Sequence, residues 1–404
     1  MATATADAGT LPRPQRRGLA GRLVEAVTAG PARLFLLVVG FLWLVPSFGL
    51  LMASFRPAEV QATGWWQAFT NPGQLTITNY VALLEQASVT GDFAVASLIA
   101  VAGTIAIAAA TRATMAEGWP RIAGWVVIGG LSAYMLYSFY VVGGIAAAIV
   151  LAVAVPTLVT AARAAFEGGG LGRLAVTTLL VILLEVISLI PPGGGILTAL
   201  RNSVLITVPS CVLLVLIGAG AAYAFAWVKF PGRDIVFLIV VALLVVPLQV
   251  GLIPIADLYG KLGLFGTIPG VVLFHVGFGL PFAVFLLRNF FIGIPHELLE
   301  AARMDGASEW RVFSRVVLPL GIPAIASLLI FQFLWVWNDL LVALVFAGSD
   351  AAPLTVAIRE QLRTFGGNIQ IIAPGAFIQM LVPLIVFFAF QRYFVQGLLA
   401  GSQR

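Results

Sequence analysis

The chain has 404 residues, of which 61% are hydrophobic and only 10% charged, with a mean hydropathy of +1.05. A soluble domain is about 45–50% apolar and about 25% charged, so this composition excludes a water-soluble globular protein and intrinsic disorder alike. The net charge of +5 comes from 22 Lys and Arg against 17 acids, and in a lipid-embedded chain it belongs to the positive-inside bias of cytoplasmic loops, not to nucleic acid. The one cysteine, Cys211, allows no internal disulfide and no Cys-based metal site.

Residues 1–33 are small, polar and basic, with Arg13, Arg16, Arg17, Arg22 and Arg33 ahead of an apolar run over 34–53. That run is too long for a signal peptide and contains Trp43 and Pro46, so it reads as an uncleaved first span preceded by a cytoplasmic tail. Residues 54–92 carry Trp65, Trp66 and Asn71-Pro72-Gly73, interfacial and turn material on the outer side. Further apolar runs cover 93–111, 122–141, 143–162, 174–190, 203–228, 235–256, 268–291, 317–347 and 371–394. The reading is an all-α polytopic membrane protein with about ten transmembrane helices, ending in a cytoplasmic tail over 395–404. Threading the spans this way leaves 17 of the 22 Lys and Arg inside. Merging the runs 122–141 and 143–162 would turn Lys229, Arg233 and the basic segment 288–315 outward, against the positive-inside bias.

The long polar stretch of the second half runs from Pro295 to Arg315. Its apolar positions Leu298, Leu299 and Ala302, then Trp310, Val312 and Phe313, suit two short amphipathic helices. Asp305-Gly306 breaks them, because Gly accepts positive φ without penalty, and two prolines, Pro319 and Pro323, open the next span where a missing N–H costs least. Glu300-Ala301-Ala302, Gly306, Val316 and Leu318-Pro319 stand at the spacing of a known motif. This segment, 295–319, resembles the EAA loop of permease subunits of binding-protein-dependent ABC importers, with Val316 where Ile is usual. An ordinary interfacial linker needs only one apolar and one polar face, not these spaced residues.

Asn79-Tyr80, Asn202-Ser203, Tyr223 to Gly232, Trp337-Asn338-Asp339 and Gln396 to Gly401 are similar to the carbohydrate branch, above all the second permease of maltose and α-glucoside transporters. The resemblance implies a six-helix type I importer core, one helix at 34–53 and five in 191–394, interrupted by a four-helix insertion at 93–190. It further implies a bacterial inner-membrane protein, both termini cytoplasmic, that moves a sugar, an α-glucoside or other oligosaccharide, inward by alternating access. Its partners would be a second homologous permease, two copies of an ABC ATPase, a periplasmic or lipid-anchored sugar-binding protein and membrane lipid. Coupling to the ATPase would fall on Glu300, Ala301, Ala302, Asp305, Gly306, Leu318 and Pro319. The chain carries no P-loop, since Lys229 and Lys261 are followed by Phe and Leu. It therefore reads as no enzyme, with ATP hydrolysis in a separate subunit and no cofactor or metal of its own.

On the helix after the loop, Gln332, Asn338 and Asp339 with Trp335 and Trp337 suit a sugar path, against the plainer role of polar residues as glue between helices. Phe365, Gly366, Gly367 and Asn368, at the tip of the outer loop 348–370, resemble the position of a binding-protein contact; a plain hairpin is the alternative. His275 reads as a packing residue, with a pathway role as the second reading. The inserted helices carry no motif and read as peripheral to the core. Their Glu185 lies about 16 Å into a span, so a hydrogen bond within the insertion or to the partner permease is expected. An ion-coupled secondary transporter would use such a carboxylate, but it would also be built from internal repeats, and the halves show none. A structural scaffold would lack the polar residues of the 317–347 run.

Overall fold

The computed structural model describes residues 19–61, 63–86, 91–164, 171–190, 193–363 and 369–402. Among them there is no strand, only one isolated bridge between Gly266 and Ala347. The principal helices are α1 (Leu19–Ser54), α2 (Thr78–Gln86), α3 (Gly91–Ala113), α4 (Trp119–Ala164), α5 (Leu171–Leu189), α6 (Ile196–Trp227), α7 (Arg233–Ala242), α8 (Leu248–Leu262) and α9 (Ile268–Ile292). They continue as α10 (His296–Met304), α11 (Glu309–Val312), α12 (Leu318–Trp337), α13 (Leu341–Phe346), α14 (Leu354–Arg363) and α15 (Ile369–Ser402).

Five described segments are long and apolar enough to cross a membrane: Arg33–Ser54, Ile196–Trp227, Ile268–Ile292, Glu309–Trp337 and Ile369–Phe388. The pair Arg233–Val245 and Leu248–Leu262, bent by 100°, makes a sixth if it is counted as one span. The run 235–256, expected as one span, is therefore broken. The cause is Pro247, which lacks an N–H and pushes the residue before it out of the helical region; Val246 is extended at φ −68°, ψ 117°. The span expected over 317–347 ends sooner, at Trp337, and a separate short helix, α13, starts at Leu341.

Exposed Leu34, Phe35, Leu37, Phe41 and Trp43 on α1, and an α7 without a buried residue, would be aggregation faces in water. In a bilayer they are the solvent side. One set of buried contacts joins α3, α4 and α5 to α6, with Ile107, Leu151, Leu158, Leu189 and Leu205 among its members, and another lies where α6, α9 and α12 meet. Leu214, Ala283, Leu287 and Leu328 form the inner part of that core, and Ile206, Phe274, Val336 and Phe346 the outer part.

Within residues 93–190, α4 is continuous in backbone helicity over 119–164 but cannot be a straight rod. Thirty-eight residues of straight helix would separate Trp125 from Arg163 by about 57 Å. The Arg163 guanidinium instead lies 5.0 Å from the Trp125 ring and donates to Thr114 at 3.4 Å. The two halves of α4 therefore run back along each other, beside the inner end of α3. Expected runs 122–141 and 143–162 correspond to these halves. Helix α5 is tied to α6 by Arg201, which is buried and donates to the Ser188 carbonyl at 3.3 Å.

Candidate functional site

The polar stretch 295–317 forms an elbow. Helix α10 ends in a Schellman motif: Ala307 N–H reaches the Ala302 carbonyl at 3.0 Å, and Gly306 N–H the Arg303 carbonyl at 3.0 Å. Such a closure needs a left-handed residue at the turn, and Gly306 supplies it with φ +77°. Asp305 is the exposed residue that leads into the turn. One face of the elbow is anchored, with Leu299, Val312 and Phe313 buried against Leu287 and Phe291 of α9 and Tyr223 of α6. Ala302 and Leu318 pack at the margin of the same cluster.

The other face is open. Glu300 is 61% exposed and, among the described residues, bonds to His296 at 3.0 Å on the same helix. Ala301 and Pro319 are exposed, as are Leu298, Met304 and Trp310. Of the predicted coupling residues, Glu300, Ala301, Asp305, Gly306 and Pro319 are exposed, whereas Ala302 and Leu318 serve the elbow's footing.

A side-chain network that no sequence pattern announces braces the elbow. Arg303 of α10 forks onto Glu309 of α11, at 2.8 and 3.2 Å, and the Tyr223 hydroxyl of α6 donates to the same carboxylate. Bidentate arginine–carboxylate pairs fix geometry as well as charge. The bonded Glu309 holds the Arg303 guanidinium above its ordinary pKa. The elbow joins α12 through a π-helical turn, Phe313–Val317, an irregularity often found at functional sites. Its only sequence trace is the bulky pair Phe313 and Val317, both of which are buried there.

The three polar positions after the loop separate. Gln332 is buried, with its side-chain N–H group unpartnered among the described residues. Asn338 is exposed and donates to the Leu334 carbonyl of its own helix at 2.9 Å. Asp339 caps α13: its two oxygens accept the N–H groups of Val342 and Ala343 at 3.3 and 3.0 Å, and one lies 3.7 Å from His275. Trp337, expected to offer a face to sugar, is instead buried and exchanges bonds of 3.0 and 2.9 Å with Gln379 of α15. The cap was hidden in the sequence because α13 is as apolar as the helix before it.

The outer end is locked by asparagines. Asn202 donates to the carbonyls of Asp350 and Ala352 at 2.9 and 3.1 Å, and Ser203 accepts the Leu354 N–H at 2.8 Å. Asn79 does the same for the end of α1, reaching the carbonyls of Ser54 and Arg56 at 3.0 and 2.8 Å. Phe365, Gly366, Gly367 and Asn368 lie outside the described residues. In the insertion, Glu185 is fully buried and accepts a bond from Thr104 of α3, while its second oxygen has no partner among the described residues.

Comparison with known proteins places this geometry. The family described as the binding-protein-dependent transport system inner membrane component matches residues 203–399. The α-glucoside transport system permease protein AglG of Rhizobium meliloti is 39% identical over 381 residues, 91% of this chain and 95% of the relative. That match leaves too little of the chain aside to bypass the inserted segment. The osmoprotective compounds uptake permease protein GgtD of Synechocystis is 52% identical over 212 residues, 52% of this chain and 71% of the relative. The trehalose transport system permease protein SugB of Mycobacterium tuberculosis is 36% identical over 209 residues, 51% of this chain and 76% of the relative. With its apolar helices, its elbow and these matches, the chain belongs to the inner-membrane components of binding-protein-dependent transport systems: it is a multi-pass importer permease, not an ion-coupled carrier.

Proposed function

We propose that this chain is one of two homologous permease subunits of an ATP-driven importer whose cargo is a sugar, an α-glucoside or a related oligosaccharide. Two ATPase subunits sit beneath it and a periplasmic or lipid-anchored sugar-binding protein above, with both termini of the chain cytoplasmic. The observation that carries this reading is the two-faced elbow. A rigid knob whose footing is buried between α6 and α9 passes a push on Glu300, Ala301, Met304 or Trp310 to the spans attached at either end, the rigid-body coupling by which packed elements transmit a switch. Asp305 and Gly306 set its angle, Ala302 and Leu318 seat it on the core, and Pro319 stands exposed where α12 begins. ATP hydrolysis belongs to the partner.

The cargo assignment is supported by the names of the relatives, which concern α-glucosides and trehalose. The sugar path runs along α12 past Gln332, with Asp339 holding its outer end in place and Asn338, bonded to its own helix, at its margin. Residues 365–368 reach the binding protein, and the inserted segment 93–190 packs at the periphery of the six-helix core. The test is reconstitution with the partner subunits in proteoliposomes. Uptake of maltose or trehalose that requires ATP and the binding protein supports the reading; ATP-independent uptake driven by a proton gradient contradicts it.

A further inference from the structure

Between α9 and α12 lies a cavity of about 310 Å³, lined by Phe278, Gly279, Phe282, Phe331, Gln332 and Trp335. That volume stands at the lower end of the ligand-pocket range of about 300–1,000 Å³. Gly279 is about 17 Å of helical rise from the outer end of α9, near the middle of a hydrocarbon layer of about 30 Å. At that depth an unpaired amide is expensive, yet Gln332 is 3% exposed and its side-chain N–H group has no partner among the described residues. Polar groups so placed face a bundle interior or a watery path, not lipid. The glycine is what leaves room: a Cβ at Gly279 would come within 2.9 Å of both Gln332 Oε1 and Leu214 Cδ1.

The walls define the guest. Phe282 and Phe331 stand nearly perpendicular, at 87° and 6.1 Å between centroids. Trp335 presents part of its ring at the mouth, steadied edge-on by His275 at 5.3 Å. No charged side chain lines the cavity, so an ion or a zwitterion finds no counter-charge there. An alkyl chain would fit the aromatic walls but leave the amide unsatisfied. A ring with C–H faces and a hydroxyl rim satisfies both, because aromatic rings pack on its faces and the amide donates to its edge.

We propose that this chain itself holds one pyranose ring of the cargo between Trp335 and the Phe282–Phe331 corner, with the Gln332 amide donating to a ring hydroxyl. The proposal rests on the import reading above. It makes the permease a selective participant and not a passive half-channel.

The test uses the assembled importer in proteoliposomes, with ATP, the binding protein and radiolabelled maltose or trehalose as probes. Trp335→Ala is expected to slow uptake at least tenfold while ATP hydrolysis stimulated by the loaded binding protein stays within twofold of wild type, because the elbow is untouched. Trp335→Phe, which keeps an aromatic face, is expected to restore uptake to within threefold. Gly279→Ala and Gln332→Leu are each expected to slow uptake at least fivefold, and they decide the matter if Trp335→Ala fails to co-purify with its partners. Uptake within twofold of wild type for the assembled variants overturns the proposal, as does a Trp335→Phe importer as slow as Trp335→Ala. A wild-type importer that hydrolyses ATP but takes up neither sugar overturns the sugar assignment, and this proposal with it.

Discussion

The two ends of the core treat their polar side chains in opposite ways. At the outer end, Asn79, Asn202, Ser203 and Asp339 all bond to backbone groups of neighbouring segments, and Arg201 is buried against Ser188. At the inner end, Glu300, Arg311 and Arg315 are exposed, and Leu298, Met304 and Trp310 share that surface. Buried polar groups that meet all their partners lock a structure; charges and apolar side chains left open beside each other mark a surface for association. The end at Asn202 is thus closed within this chain, while the elbow end presents an open surface suited to association.

The difference can be broken most severely at the elbow. Proline at position 306 cannot reach φ +77° and removes the N–H that bonds Arg303, a local cost of about 3 kcal/mol or more by analogy with helix interiors. Gly306→Pro is expected to lower ATP hydrolysis stimulated by the loaded binding protein at least tenfold, with the subunits still co-purifying. Glu300→Lys is expected to do the same through reversed charge at the exposed face. Stimulation at the wild-type level in both variants contradicts the coupling role.

The outer end yields a stability effect instead. Asn202→Leu leaves the part-buried carbonyls of Asp350 and Ala352 without their amide donor, a loss of about 1 kcal/mol, at the low end for a stranded acceptor. Thermal unfolding of the purified complex and protease cleavage within 349–363 are expected to report the loss, with stimulated ATP hydrolysis unchanged below the new transition. A smaller effect is expected from Glu309→Gln. The Arg303–Glu309 pair is bidentate but half exposed, so after solvent screening it contributes about 0.5 kcal/mol, and stimulation falls about twofold. Asn338→Ala is expected to be the mildest, within about 0.5 kcal/mol as for an exposed position. Among the described residues its amide bonds its own helix, and uptake should stay within twofold of wild type.

The sequence was most legible where two periodicities met a forced turn. Leu298 and Leu299, then Val312 and Phe313, mark two short helices, and Gly306 between them has a single conformational use. Hydropathy located the apolar runs, but it did not tell a straight span from a broken one. Pro247 looks like any tolerated membrane proline until Val246 is seen extended, and Asp339 looks like a pathway carboxylate until α13 is seen to start there. The resemblance singled out Asn79 and Asn202 without saying what they do. Their partners lie about 25 and 150 residues away in the chain, a separation that no local pattern encodes. The Arg303–Glu309–Tyr223 brace is invisible in the sequence for the same reason, since Tyr223 comes from a different helix.

Cross-linking in the assembled complex tests the contrast between the two ends most directly. Cysteine is placed at Ala301, on the open inner face, or at Asn338, exposed near the outer end, with the native Cys211 buried and out of reach. With a short thiol-reactive linker, Ala301→Cys is predicted to join the ATPase subunit and Asn338→Cys is not. An ATPase adduct at Asn338→Cys, or none at Ala301→Cys in an importer that still transports, would contradict the account.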